Sequence, residues 1–173
     1  MRWPGPDGYW ASDDKTLVDL DLVHDWISQE SYWARDRPRE VMERSIEHSL
    51  VIGLYSAEGA QAGFARFVTD FATFAWLCDV FIDDMHRGHG LGSFLVSAAV
   101  SHPGVRDIRQ VLSAVPGRTL YRRHGFDVLV SPERWMERRP GASQPTEAAQ
   151  DVGRRELSAV GERRDEPDTA VPL

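Results

Sequence analysis

The sequence predicts a single α/β domain of three layers, with helices flanking a central sheet. Three observations carry this reading. Strand-like runs follow one another at 51–56, 63–69 and 73–82, the first two joined by the turn Ala57-Glu58-Gly59-Ala60. Stretches with apolar residues at helical spacing lie before and after this meander. The length, 173 residues, suffices for one domain with a real core and is too short for two ordinary ones.

Each element has its own signal. Residues 1–8, with Pro4, Gly5, Pro6 and Gly8, read as a flexible lead-in, and Tyr9 to Ser12 as a short edge strand. Leu20, Val23, Trp26 and Ile27 share one helical face, with Asp19 and Asp21 placed to favour its first turn. A second helix starts with Pro38 at its first position and buries Val41, Met42 and Ile46. After the three-strand meander, Leu91, Phe94, Leu95, Ala98 and Ala99 recur at helical spacing until Pro103-Gly104. A strand follows over 108–112, then a short helix holding Tyr121 and closing at Gly125, then a last strand over 126–130. From Pro140 to Leu173 there is no aromatic residue, and seven acidic side chains face four basic ones. Such a segment buries too little apolar surface to offset ordering its backbone, so 140–173 reads as a polar, disordered tail. Residues 147–160 could form a helix against a partner chain.

Composition excludes several classes of function. Twenty basic residues against 27 acidic give a net charge of −7. That balance argues against a nucleic-acid or membrane-surface partner, either of which favours a basic patch. It would suit a cationic ligand, although the tail supplies part of the excess. The single cysteine, Cys78, rules out an internal disulfide and a cysteine-based zinc cluster, and reads as a small buried hydrophobe. No apolar run approaches the roughly 20 residues of a membrane span, and the amino terminus lacks a signal pattern. The expectation is a soluble, cytoplasmic protein, and an edge strand near either terminus could support a homodimer.

The most informative stretch is Met85-His86-Arg87-Gly88-His89-Gly90-Leu91-Gly92-Ser93-Phe94. It follows an apolar strand and opens an amphipathic helix. Glycines there let backbone approach an anion and take positive φ, while free N–H groups and the helix dipole face it. A Walker-type loop needs a lysine in this position, and the only lysine of the chain is Lys15. The spacing Gly88-x-Gly90-x-Gly92 also departs from the dinucleotide fingerprint. A glycine-rich surface turn stays open as the plain alternative.

The neighbourhood narrows this choice. Phe74 to Ile82 is a long apolar strand with Asp79 inside it, and Leu120-Tyr121-Arg122-Arg123-His124-Gly125-Phe126 follows the loop. Here the chain resembles the GNAT superfamily of acyl-CoA-dependent N-acetyltransferases. The family's Arg/Gln-x-x-Gly-x-Gly/Ala motif matches Arg87, Gly90 and Gly92, and its Tyr-x-x-x-Gly-Phe matches Tyr121, Gly125 and Phe126. The resemblance spans roughly residues 9 to 137, within a domain bounded as 9–139. It implies a mixed, mostly antiparallel central sheet flanked by helices. It departs from the pattern at Ala114-Val115-Pro116-Gly117, where many members carry asparagine before the tyrosine helix, and at Asp84, where proline is frequent.

The resemblance implies direct acetyl transfer from acetyl-CoA to the amine of a small acceptor. Gly88, His89, Gly90, Leu91, Gly92 and Ser93, with Arg87, would hold the diphosphate. Backbone at Val80, Phe81 and Ile82 would pair with the pantetheine arm. Tyr121 would protonate the departing thiolate, or else merely pack with its hydroxyl satisfied by backbone. Asp79 would receive the amine's proton or bind its ammonium, or else sit ion-paired to an arginine such as Arg66. Tyr32 and Trp33, between the first two helices, would wall the acceptor site, or else pack under their loop. His86 and His89 are three apart across a turn and make no metal-ligand pattern, so no metal is expected. A non-catalytic sensor of acyl-CoA is the competing reading.

Overall fold

The computed structural model describes residues 1–114 and 118–138. The chain divides into two units, Met1–Asp127 and Val128–Leu173. The second unit, over its described residues, holds one 3-10 turn at Pro132–Arg134. The first unit carries the sheet and the site.

Six strands lie side by side in chain order: β1 (Arg2–Pro4), β2 (Trp10–Ser12), β3 (Leu50–Tyr55), β4 (Gln61–Thr69), β5 (Phe74–Ile82) and β6 (Arg109–Leu112). The first five run antiparallel. Only β5 and β6 are parallel, and α3 (Leu91–Val100) makes the crossover that a parallel pair requires. The mixed, mostly antiparallel sheet is thus as the family resemblance implies.

One amino-terminal detail differs from expectation. Residues 1–8 are not a loose lead-in, because Arg2–Pro4 pairs with Trp10–Ser12 and covers the edge that β2 would otherwise expose. Arg2 also lies over the Trp10 ring at 3.6 Å, and the terminal ammonium ion-pairs with Asp13. Pro4 sits in the outermost strand, where its missing N–H costs no ladder bond.

Helices close both faces. α1 (Leu20–Asp25) starts where the Asp19 carboxylate accepts from the Leu22 N–H at 3.0 Å, and continues as a π-helical turn over Trp26–Glu30. α2 (Arg39–Glu47) begins one residue later than the sequence suggests, with Pro38 as its cap. The alternation of strand side chains sorts the core into two halves. Ile52, Leu54, Ala65, Phe67, Ala75 and Leu77 pack against Leu91, Leu95, Ala98 and Ala99 of α3. On the other face Val51, Phe64 and Phe81 meet Val23, Trp26, Ile27, Met42 and Ile46.

One irregularity shapes everything downstream. Arg66 pairs with Cys78 and Phe64 with Phe81, so Asp79 and Val80 together oppose Ala65 alone. This is a β-bulge, with Asp79 at φ 50°, and bulges bend the strand that carries them. β6 pairs with β5 only over Phe74–Leu77, so beyond Leu77 the outer edge of β5 carries no strand among the described residues. A sheet split in this way offers backbone donors and acceptors to a ligand.

The strand expected over 126–130 is absent, and these residues are irregular. Their alternating, β-branched composition fits a half-buried surface, yet Val128 and Val130 are exposed and gain nothing from pleating. The tail from 140 to 173, with the helix suggested at 147–160, lies outside the described residues. Among the described residues, no helix is long and apolar enough to cross a membrane.

Candidate active site

The glycine loop is built by the end of β5. Asp83 caps a 3-10 turn (Asp84–His86), accepting from the Met85 N–H at 2.8 Å, and the chain then turns at Gly88 (φ 89°) and Gly90 (φ 72°). A Cβ at either glycine would meet nothing within 4 Å, so conformation and not space demands glycine at both. Arg87 is anchored by an ion pair to Asp84 and donates from Nε to the Ile82 carbonyl at 3.1 Å. Gly90 caps α3 without any side-chain acceptor. The N–H groups of Gly88, His89, Gly90, Leu91 and Gly92 make no hydrogen bond to any described residue. Five consecutive free donors at a helix start are an arrangement suited to an anion.

The sixth expected donor is spent internally. The Ser93 N–H bonds to the Gly90 carbonyl at 3.0 Å, and its hydroxyl pairs with His124 Nε2 at 2.9 Å. Ser93 therefore ties α3 to the end of α4 (Arg118–Arg122) and frees no N–H for a ligand. Gly92 lies between Leu120 and Ile82, and a Cβ there would reach ordinary contact with both. Its bare backbone keeps open the crevice between β5 and α4. The two histidines of the loop act apart: His86 Nδ1 bonds the Tyr9 hydroxyl at 2.8 Å, and His89 faces Asp7 at 3.7 Å.

Beside the split lies a cavity of about 480 Å³. It joins Tyr32, Trp33, Asp79, Val80 and Tyr121, which are scattered through the sequence. Phe81 does not join them; its ring is buried and stacks on Trp26 at 5.5 Å, leaving only its backbone to offer a ligand. Tyr32 and Trp33 are exposed on the cavity and meet edge to face at 5.0 Å, so they form wall more than loop packing. Tyr121 packs against Phe126, and its hydroxyl makes no hydrogen bond to a described residue. Burial, with a smaller contribution from Tyr32, raises its pKa above the usual phenol value. It stays protonated at neutral pH, with a proton to give.

Asp79 is 4 % exposed and fully engaged. Its carboxylate accepts from Arg37 Nη1 at 2.6 Å, Arg66 Nε at 2.7 Å and Trp33 Nε1 at 3.1 Å. Burial pushes its pKa up, and Arg66 and Arg37 outweigh that, holding it below the usual carboxylate range. A carboxylate so stabilised is a poor proton acceptor. Of the two readings of Asp79, the ion-paired one fits this geometry. Asp tolerates the left-handed backbone at the bulge, and the two arginines hold the bulge in place. Cys78 beside it is a neutral thiol, its pKa raised to about 11 chiefly by burial.

Several wall residues escape the sequence reading. Arg37, Val68 and Trp76 line the cavity along with Arg66 and Cys78. Val68 and Trp76 are cross-strand partners, on the same sheet face as Arg66 and Cys78 two residues away. Their exposure, 48 % and 47 %, is the signal that alternation alone cannot supply. Among the described residues, no group of three or more His, Cys, Asp or Glu side chains could hold a metal.

Fold and site together define a protein with a row of free backbone N–H groups at the start of α3 and a sheet that opens beside a cavity. Comparison with known proteins gives that architecture its family. The family model for the acetyltransferase (GNAT) domain matches residues 47–128. A crystal structure from Xanthomonas campestris pv. campestris, named as an acetyltransferase of the GNAT family, is 38 % identical with a TM-score of 0.74. It covers 82 % of this chain and 100 % of its own. This chain belongs to the GNAT family. A curated relative from Gibberella zeae, named as an acetyltransferase, is 28 % identical over 114 residues, covering 56 % of this chain and 64 % of its own length. The chain thus matches less than two thirds of that relative. A Clostridium acetobutylicum structure, named as an acetyltransferase with acetyl-CoA, shares the fold at TM-score 0.54 and 16 % identity, over 80 % of this chain and 96 % of its own.

Proposed function

We propose that this protein transfers an acetyl group from acetyl-CoA directly to the amine of a small acceptor. The observation that carries the reading is the row of five unpartnered N–H groups from Gly88 to Gly92 at the start of α3. The diphosphate of CoA would lie on them, with its pantetheine amides along the free outer edge of β5 at residues 78–82. The relative from Clostridium, whose structure contains acetyl-CoA, supports this choice of donor.

The chemistry then follows from the chain's own groups. The acceptor nitrogen, neutral when it attacks, forms the C–N bond as the C–S bond breaks. An edge N–H of β5 donates to the developing oxyanion, a role worth about 3–4 kcal/mol where one such donor is removed. Tyr121 gives its proton to the departing thiolate and regains one from solvent. The proton released by the amine leaves through water at the pocket mouth, since Asp79 is committed to its two arginines. The free hydroxyl of Tyr121 favours an enzyme over a sensor, which has no use for an unpaired phenol in its pocket.

A thermal-shift titration with acetyl-CoA, ATP and NAD tests the donor. Acetyl-CoA alone is expected to stabilise the chain, by about 2.7 kcal/mol at a hundredfold excess over its dissociation constant. Thiol release with a panel of amino acids, polyamines, aminoglycosides and peptide amines tests turnover. Stabilisation by ATP only would contradict the reading, and binding without thiol release from any amine would favour the sensor.

A further inference from the structure

We infer that the acceptor carries a carboxylate as well as its amine, and that Arg37 and Arg66 bind that carboxylate. This rests on the transferase reading above. The chain as a whole is acidic, at −7, yet the cavity is not. Its charged side chains, among the described residues that line it, are Arg37, Arg66 and Asp79: two guanidiniums against one carboxylate. The local balance is opposite to the global one, and the local one acts at contact distance. A cationic acceptor, which the overall charge suggests, would meet an excess positive charge here.

The fork geometry is available as well. Arg37 uses Nη1 on Asp79, at 2.6 Å, and on the Met42 sulfur, at 3.6 Å. Arg66 uses Nε on Asp79 and Nη1 on the Ser49 hydroxyl, at 3.0 Å. Arg37 Nε, Arg37 Nη2 and Arg66 Nη2 make no hydrogen bond to a described residue. Both side chains are largely buried, at 21 % and 11 % exposure, so an anion at these donors would be shielded from bulk screening. Asp79 and Ser49 fix the two groups in advance, and the backbone of Arg37 is held by the His24 ring at 2.9 Å. One excess positive charge matches a monoanion; a dianionic phosphate would leave charge unbalanced.

The rest of the cavity sets the body of the molecule. Tyr32, Trp33, Val68 and Trp76 present exposed apolar surface beside the arginines. An amino acid with an apolar side chain meets all three features at once: rings and valine take the side chain, the guanidiniums take the carboxylate, and the amine faces Tyr121. Asp79 is then a positioning residue, which aims the two forks without touching the acceptor.

Equilibrium binding of reaction products isolates the claim, because acetylation removes the charge of the amine. Calorimetric titrations of the full chain saturated with CoA would use N-acetyl-phenylalanine, N-acetyl-leucine and N-acetyl-tryptophan, each against its carboxamide. At least one acid is expected to bind about tenfold more tightly than its amide, the order of one charge-assisted hydrogen bond. Arg37→Gln or Arg66→Gln is expected to bring that ratio near one. The inference is overturned if no acid binds more tightly than its amide, or if the preference survives in both variants. Failure of the donor reading looks different, since the chain would then not bind CoA at all.

Discussion

Replacing Tyr121 with phenylalanine is expected to lower kcat by about 10²- to 10⁴-fold, the usual yield of a well-placed general acid. Three observations give the prediction its direction. The phenol lines the cavity at the end of the sheet split, its hydroxyl bonds to no described residue, and its pKa is raised by burial. Phenylalanine keeps the edge-to-face contact with Phe126 and removes only the proton donor. Melting temperature and affinity for acetyl-CoA should therefore hold while turnover collapses. A loss confined to kcat assigns the hydroxyl to the transition state. Wild-type turnover by the variant across pH 6–9, with a good acceptor, would remove Tyr121 from the mechanism.

Asp79→Asn is expected to cost about 3 kcal/mol of folding stability, the lower end for breaking a buried ion pair, because the cavity lets water reach the stranded guanidiniums. Asparagine preserves volume, yet it leaves Arg37 and Arg66 without a countercharge and turns an amide N–H₂ toward one of them. The same pairing fixes the sign of the pH dependence. Asp79 titrates lower in the folded chain than in the unfolded one, so its contribution is fully present above the unfolded value of about 4. It is lost as pH falls through the folded value. Chemical denaturation at pH 7 and at steps below pH 4 would measure this: the variant should trail the wild type at neutral pH, and the deficit should shrink progressively as pH falls below the unfolded value. A variant as stable as wild type at pH 7 would show that the bulge does not depend on the ion pairs.

How much of this was legible in the sequence depends on whether the signal is local. The meander, the caps at Asp19 and Pro38 and the helix after Gly90 follow from periodicity and capping chemistry, and all appear close to where they are predicted. The anion loop was legible for the same reason, because glycines at 88 and 90 and a helix start are local facts. What failed was non-local. The strand β1 depends on pairing with Trp10–Ser12 across a turn, which the composition of a Pro- and Gly-rich segment conceals. The run 126–130 has the composition of a strand and forms none among the described residues. In the site, Asp79 and Arg66 were visible as charges inside apolar strands, and an ion pair between them was one open reading. Arg37 was invisible, since it comes from a loop 42 residues away and meets Asp79 only through the fold. Trp76 and Val68 read as ordinary strand residues until their exposure marks the wall they form.

The central claim, that backbone from Gly88 to Gly92 grips the diphosphate of CoA while β5 guides the arm, has a direct test. It is a crystal structure of the chain grown with CoA. Diphosphate oxygens are expected about 3 Å from several of those five nitrogens, with pantetheine amides paired along residues 78–82. A crevice left empty at saturating CoA, or a diphosphate bound anywhere else on the molecule, would contradict it.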